Sequence, residues 1–119
     1  MKTVLVVDDE PGLRRILEMR LKRQGYNVLS AENGIIAHDL IKTESIDLVL
    51  SDVRMPGGDG VQLLEQLESE HGSPPVILMT GYADITPDEA LQKGAKAIFD
   101  KPLQSKEVLA KIEQLLDTV

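Results

Sequence analysis

Short apolar runs alternate along this chain with longer stretches whose apolar residues recur at helical spacing. Thr3-Val4-Leu5-Val6-Val7, Leu48-Val49-Leu50-Ser51, Val76-Ile77-Leu78-Met79 and Ala97-Ile98-Phe99-Asp100 are such runs, and Tyr26 to Ser30 reads as another. Runs this short suit strands buried on both faces. Their alternation with amphipathic segments dictates βα units around a parallel sheet. Each run also ends on a polar residue or leads into one. Asp8 and Asp9 follow the first, Asp52 the third, Thr80 the fourth and Lys101 the last.

The helical stretches carry their own start and stop signals. Pro11 suits a first helical turn, Leu13, Ile16, Leu17 and Leu21 form an apolar stripe, and Gly25 suits the C-terminal cap. Asn33-Gly34 starts a second helix bearing Ile36, Ala37, Leu40 and Ile41, and Val61, Leu64 and Leu67 mark a third. Thr86, Pro87 and Glu89 together make a capping box with proline at the first position, and Gly94 limits this fourth helix to a short one. Val108, Leu109, Ile112, Leu115 and Leu116 share one face of the last. The fold expected is α/β: a flavodoxin-like doubly wound (βα)5 arrangement with a five-stranded parallel sheet of order 2-1-3-4-5. No repeat, linker or low-complexity tract interrupts residues 1–119, which read as a single domain.

Composition narrows the function. A net charge of −7 repels phosphate backbones, so direct nucleic-acid binding is not expected. The chain has no cysteine, hence no disulfide framework and no thiolate zinc site. Aromatic residues make up 3% and none is Trp, too few for a base-stacking or flavin-stacking surface. The apolar runs are far too short to span a membrane, and Met1-Lys2-Thr3 leads straight into a strand, so the expected location is cytoplasmic.

In an open parallel sheet, ligands bind outside the carboxyl ends of the strands, at the point where strand order reverses. Asp8, Asp9 and Asp52 therefore fall on two adjacent strand ends. Three carboxylates there repel one another unless a cation joins them. Mg²⁺ suits the position, being a hard ion that takes a few carboxylates and keeps waters and a phosphate oxygen, and Mn²⁺ could substitute. Three acids and Lys101 sum to −2, which one such ion neutralises. Taken singly, each residue has a plainer reading: an Asp after a strand is a turn former or cap, Thr80 merely ends a strand, Lys101 is an exposed lysine. Convergence on one sheet edge decides for chemistry. A hydroxyl and an ammonium at neighbouring strand ends suit phosphoryl oxygens. Asp59 reads as a turn residue, Met55 as loop packing, and His38 and His71 as surface residues, while Lys101-Pro102 invites a cis peptide bond, the less common of the two isomers.

At these residues the chain resembles a receiver domain of a two-component response regulator, of the chemotaxis-regulator-like superfamily. The matching segments are Val6-Val7-Asp8-Asp9-Glu10, Asp52-Val53-Arg54-Met55-Pro56-Gly57-Gly58-Asp59-Gly60, Met79-Thr80-Gly81-Tyr82-Ala83-Asp84, Gly94-Ala95 and Lys101-Pro102. The resemblance implies that Asp52 accepts a phosphoryl group from phosphohistidine of a sensor histidine kinase or histidine phosphotransfer protein. It implies metal binding by Asp9, Asp52 and the backbone carbonyl of Arg54, with Asp8 acting directly or through water. Thr80 and Lys101 would contact the phosphoryl group, and the face made by the fourth helix, fifth strand and fifth helix would repack on phosphorylation. Such a domain is a monomer or weak dimer and assists its own phosphorylation and dephosphorylation without being a turnover enzyme.

The chain departs from the family pattern at its output end. Ile98 stands where an aromatic residue is common, Phe99 should face the other way, and Leu103 replaces a common Phe. Tyr82, two residues past Thr80, would either overhang the site and slow dephosphorylation or stand as an exposed loop aromatic. Among other readings, a Mg²⁺-dependent phosphohydrolase of the haloacid-dehalogenase-like class wants Asp-x-Asp after the first strand, whereas Asp8 and Asp9 are adjacent. A non-phosphorylated docking module would not need the complete set of acids, Thr80 and Lys101. A flavodoxin-like cofactor binder would need a hydroxyl- and glycine-rich loop after the first strand.

Overall fold

Strand residues alternate between two opposite cores, and this sorts the helices. In the computed structural model, which describes residues 1–81 and 85–117, the order is β1 (Thr3–Val7), α1 (Pro11–Arg23), β2 (Asn27–Ala31), α2 (Gly34–Thr43), β3 (Leu48–Asp52), α3 (Gly60–Glu68), β4 (Val76–Thr80), α4 (Pro87–Gln92), β5 (Ala97–Asp100) and α5 (Ser105–Asp117). Leu5, Val7, Val49, Val76 and Leu78 pack with Ala37, Leu63, Leu64, Leu67 and Ala90 from α2, α3 and α4. Their neighbours Val4, Val6, Leu48, Leu50, Ile77 and Met79 pack on the other face with Leu17, Leu21, Val108 and Ile112 from α1 and α5. Leu5, Leu50, Ile77 and Leu78 are wholly buried, each contributing about 1.5–3 kcal/mol relative to exposure.

All five strands are parallel in the order β2-β1-β3-β4-β5, as the βα rhythm requires. The register levels the carboxyl ends. Val7 pairs with Ser51, Asp52 with Met79, and Thr80 with Asp100. Asp8 thus stands beside Asp52, and Lys101 follows the residue opposite Thr80. Among the described residues no helix is long and apolar enough to cross a membrane.

The structure departs from the sequence reading in local details. β2 begins at Asn27 because Tyr26 still belongs to the end of α1: its N–H bonds the Leu21 carbonyl across Gly25, whose φ is +92°. Asp59 is more than a turn residue, since it caps α3 and shares a capping box with Gln62. His38 lies near the surface, as read, but its ring also pairs with Glu70, two residues past the end of α3. The Lys101–Pro102 bond is cis. The expected capping box at Thr86 and Glu89 is present, and α4 spans only 6 residues.

Candidate functional site

Lys101 joins two strands' worth of acids. Its Nζ lies 3.0 Å from Asp52 Oδ2 and 3.2 Å from Asp8 Oδ2, with Glu10 Oε1 at 3.7 Å. Asp8 is 0% exposed and Asp52 6%. Buried carboxylates so close together require a cation, and the ammonium supplies part of that charge. Burial pushes the Asp52 carboxyl above its ordinary pKa and the charge of Asp8 adds to this, while the hydrogen bond and charge of Lys101 and a hydrogen bond with the Arg54 backbone oppose it. Burial alone would lower the Lys101 pKa. Its hydrogen bond to Asp52 and the charges of Asp8 and Asp52 outweigh burial and leave it raised.

Asp8 and Asp52 are each held by contacts that involve the backbone. The Asp8 carboxylate accepts from the Glu10 N–H at 2.9 Å, and its carbonyl accepts from Arg14 Nη1 at 2.7 Å. After Asp52 the chain stays tied to the sheet, because the Val53 N–H bonds the Met79 carbonyl at 2.8 Å. Ser51 Oγ donates to the Asp52 carbonyl at 3.0 Å. Gly60 passes so close that a Cβ there would lie 2.2 Å from that same carbonyl oxygen. Thr80 is buried at the end of β4, and its carbonyl accepts from the Lys101 N–H at 2.8 Å.

The structure thus brings Asp8, Asp9, Asp52 and Lys101 together, with Arg54 and Gly81 lining the same open crevice. One carboxylate oxygen from each of Asp8, Asp9 and Asp52 lies within 4.8 Å of the others. Three hard oxygen donors at this spacing fit a divalent cation that prefers oxygen ligands. Ile98 is not at the crevice. It pairs with Leu78 inside the sheet and packs toward the α2–α4 side, while Phe99 packs on the opposite face. Tyr82 lies outside the described residues. Sequence reasoning did not single out Glu10, Arg14, Ser51 or Gly60. Glu10 and Gly60 did lie in the segments that carry the resemblance, and Gly60 also in the Asp59-Gly60 pair that starts α3.

Comparisons with known proteins agree with this geometry. A family model described as the response regulator receiver domain matches residues 4–113. The chain is 36% identical over 116 residues to the transcriptional regulatory protein GlrR of Escherichia coli, covering 96% of this chain and 26% of the relative. It is 37% identical over 114 residues to the DNA-binding transcriptional regulator NtrC of Escherichia coli, covering 95% and 24%. The chain spans about a quarter of the length of these curated relatives. Its fold superposes with a TM-score of 0.88 on response regulator protein TrrA from Thermotoga maritima in complex with Mg²⁺ and BeF, at 33% identity, covering 98% of this chain and 100% of that one. With the family matched over nearly its whole length, the chain belongs to the response regulator receiver domains and is a phospho-accepting switch of two-component signalling.

Proposed function

We propose that Asp52 is the phospho-acceptor of this switch and that Thr80 and Lys101 are the groups that receive the phosphoryl oxygens. The observation that carries the reading is Lys101 Nζ held between Asp52 and Asp8 at 3.0 and 3.2 Å, beside an open crevice. In the step inferred, a carboxylate oxygen of Asp52 forms a P–O bond as the P–N bond of a donor phosphohistidine breaks. The electron pair stays on the departing imidazole nitrogen. Such transfer asks mainly for positioning and charge neutralisation. The Lys101 ammonium neutralises one phosphoryl oxygen, and the Thr80 hydroxyl donates to another. Asp8, Asp9, Asp52 and the backbone carbonyl of Arg54 would hold Mg²⁺, or Mn²⁺ in its place, which supplies further charge neutralisation when bound. The cluster of three carboxylates supports that assignment.

The donor in this reading is a sensor histidine kinase or a histidine phosphotransfer protein, met in the cytoplasm. The domain is monomeric or a weak dimer, does not itself touch nucleic acid, and assists its own phosphorylation and dephosphorylation without turnover of a substrate pool. The names of GlrR and NtrC support coupling of the switch to a transcriptional output. The face of α4, β5 and α5, including Ile98, is the surface that would repack. Incubation with acetyl phosphate and Mg²⁺, read by intact mass, should add one phosphoryl group per chain, stable in acid and labile in base. Asp52→Asn should remain unlabelled. If that variant is labelled as well as the parent, the assignment of Asp52 is wrong.

A further inference from the structure

The loop between β3 and α3 carries Arg54, whose backbone hydrogen-bonds with the Asp52 carboxylate. One end of this loop is tied to the sheet, through Val53 to Met79 and Gly60 to Val53. Met55 anchors its middle in the core, at 7% exposure. Its far side rests on a different element. The Gly34 N–H, at the start of α2, donates to the Gly58 carbonyl at 2.8 Å. A Cβ on Gly34 would lie 2.9 Å from the Gly58 oxygen and 3.2 Å from the Asp59 oxygen. The Asn33 side chain, which caps α2 by accepting from the Ile36 N–H, comes within 3.5 Å of the position a Gly57 Cβ would take.

Two kinds of glycine meet at this contact. Gly57 and Gly58 have φ of +80° and +124°, so their own backbone conformation demands glycine. Gly34 has no positive φ and is the first residue of a helix. Its lack of a side chain has no local cause; the cause is the approach of another segment's backbone. The atoms in the way are carbonyl oxygens, which cannot rotate aside as a flexible side chain would. Any side chain at 34 must push the loop, and the loop leads directly to Arg54 and Asp52.

From this contact we infer that Asn33 and Gly34 are positioning residues for the metal and phosphoryl site, although neither touches it. They clamp the β3–α3 loop so that Arg54 sits where the site needs it. The inference rests on the functional reading above and extends the site to a helix start that the carboxylate cluster does not include. Groups that orient a metal site from outside its ligand shell typically alter affinity by about 10–100-fold when changed.

The test is Mg²⁺ titration of the whole chain, followed by amide chemical shifts in the nuclear magnetic resonance spectrum, which does not depend on phosphorylation. Gly34→Ala should weaken Mg²⁺ binding by about tenfold. Leu40→Ala is the control: it loosens the docking of the same helix about two turns away, without a change of charge, and should leave Mg²⁺ affinity at the parent value. A Gly34→Ala chain that binds Mg²⁺ like the parent overturns the clamp, as does a Leu40→Ala chain weakened equally. Should Gly34→Ala not fold, Asn33→Ser decides: serine keeps a capping oxygen but lacks the amide nitrogen that stands beside Gly57, so weaker Mg²⁺ binding supports the clamp and unchanged binding overturns it. A parent chain that does not bind Mg²⁺ fails the functional reading itself. A parent that binds while the variants match it fails the clamp alone.

Discussion

At the carboxyl ends of β1 and β3, Asp8 and Asp52 are buried around one lysine, and the backbone N–H groups of Asp8, Val53 and Gly60 bond to Ala31, Met79 and Val53. Two strands away the packing is different. Ala97, Ile98 and Phe99 of β5 are only half-buried, Asp100 is exposed, and α4 contributes a single buried residue, Ala90, while Leu91 stands 51% exposed. The first region stores unfavourable charge in a rigid frame. The second has few buried contacts, which is the character of an element that opens locally at low cost. A switch needs both: a place where added charge changes the energy strongly, and a neighbour loose enough to respond.

The largest expected effect tests the charge-loaded side. Lys101→Met leaves Asp8 and Asp52 buried without their cation, and removing one partner of a buried ionic cluster costs about 3 kcal/mol. Urea unfolding without divalent ions should show that loss. Addition of Mg²⁺ should recover part of it, because an ion bound only by the folded chain stabilises that state. If the midpoint stays at the parent value, the ammonium is not holding the acids and the contrast between the two regions collapses.

Much of that charged region is legible in the sequence because it follows from topology. Once Leu48-Val49-Leu50 and its counterparts read as buried parallel strands, the residues after them must share an edge, so Asp8, Asp9, Asp52 and Lys101 meet whatever their separation along the chain. Close approaches between remote backbones leave no such trace. Gly34 against Gly58 and Gly60 against Asp52 read only as helix-start and turn glycines, since the partner that excludes a side chain is far away or on another element. The start of β2 was hidden for a related reason. Tyr26 has a strand former's side chain, but its N–H is taken by the turn that ends α1. The pairing of His38 with Glu70 depends on how α2 lies beside α3, which no local pattern specifies.

A smaller effect, opposite in sign, comes from Asp52→Asn in the absence of metal. Burial raises the Asp52 carboxyl above its ordinary 3.8, with the charge of Asp8 adding to the rise against the opposing pull of Lys101. The folded chain therefore holds this proton more tightly than the unfolded chain. The associated stability is fully present below pH 3.8 and is lost as pH rises through the folded value. Asparagine carries no charge to desolvate, so the variant should be more stable than the parent at neutral pH. The gap should narrow as pH falls toward the ordinary carboxylate range. Paired urea midpoints across that range measure it, and a gap that widens on acidification contradicts the assigned direction.

The smallest effect probes the loose side. Thr86 Oγ1 accepts from the Glu89 N–H at 3.1 Å and Glu89 Oε1 accepts from the Thr86 N–H at 3.4 Å, so this box holds the start of a helix of 6 residues. Thr86→Ala removes it at a cost of about 1 kcal/mol. In a uniformly cooperative domain that loss would speed hydrogen exchange everywhere. If α4 opens as a local unit, protection should fall at Ala90 to Lys93, whose N–H groups bond within the helix, while β1 and β3 exchange at the parent rate. Equal loss of protection in β3 would mean that α4 is bound into the same cooperative unit as the acids. The response to charge at Asp52 would then have to come from the whole sheet, and a weakly packed α4 would no longer account for it.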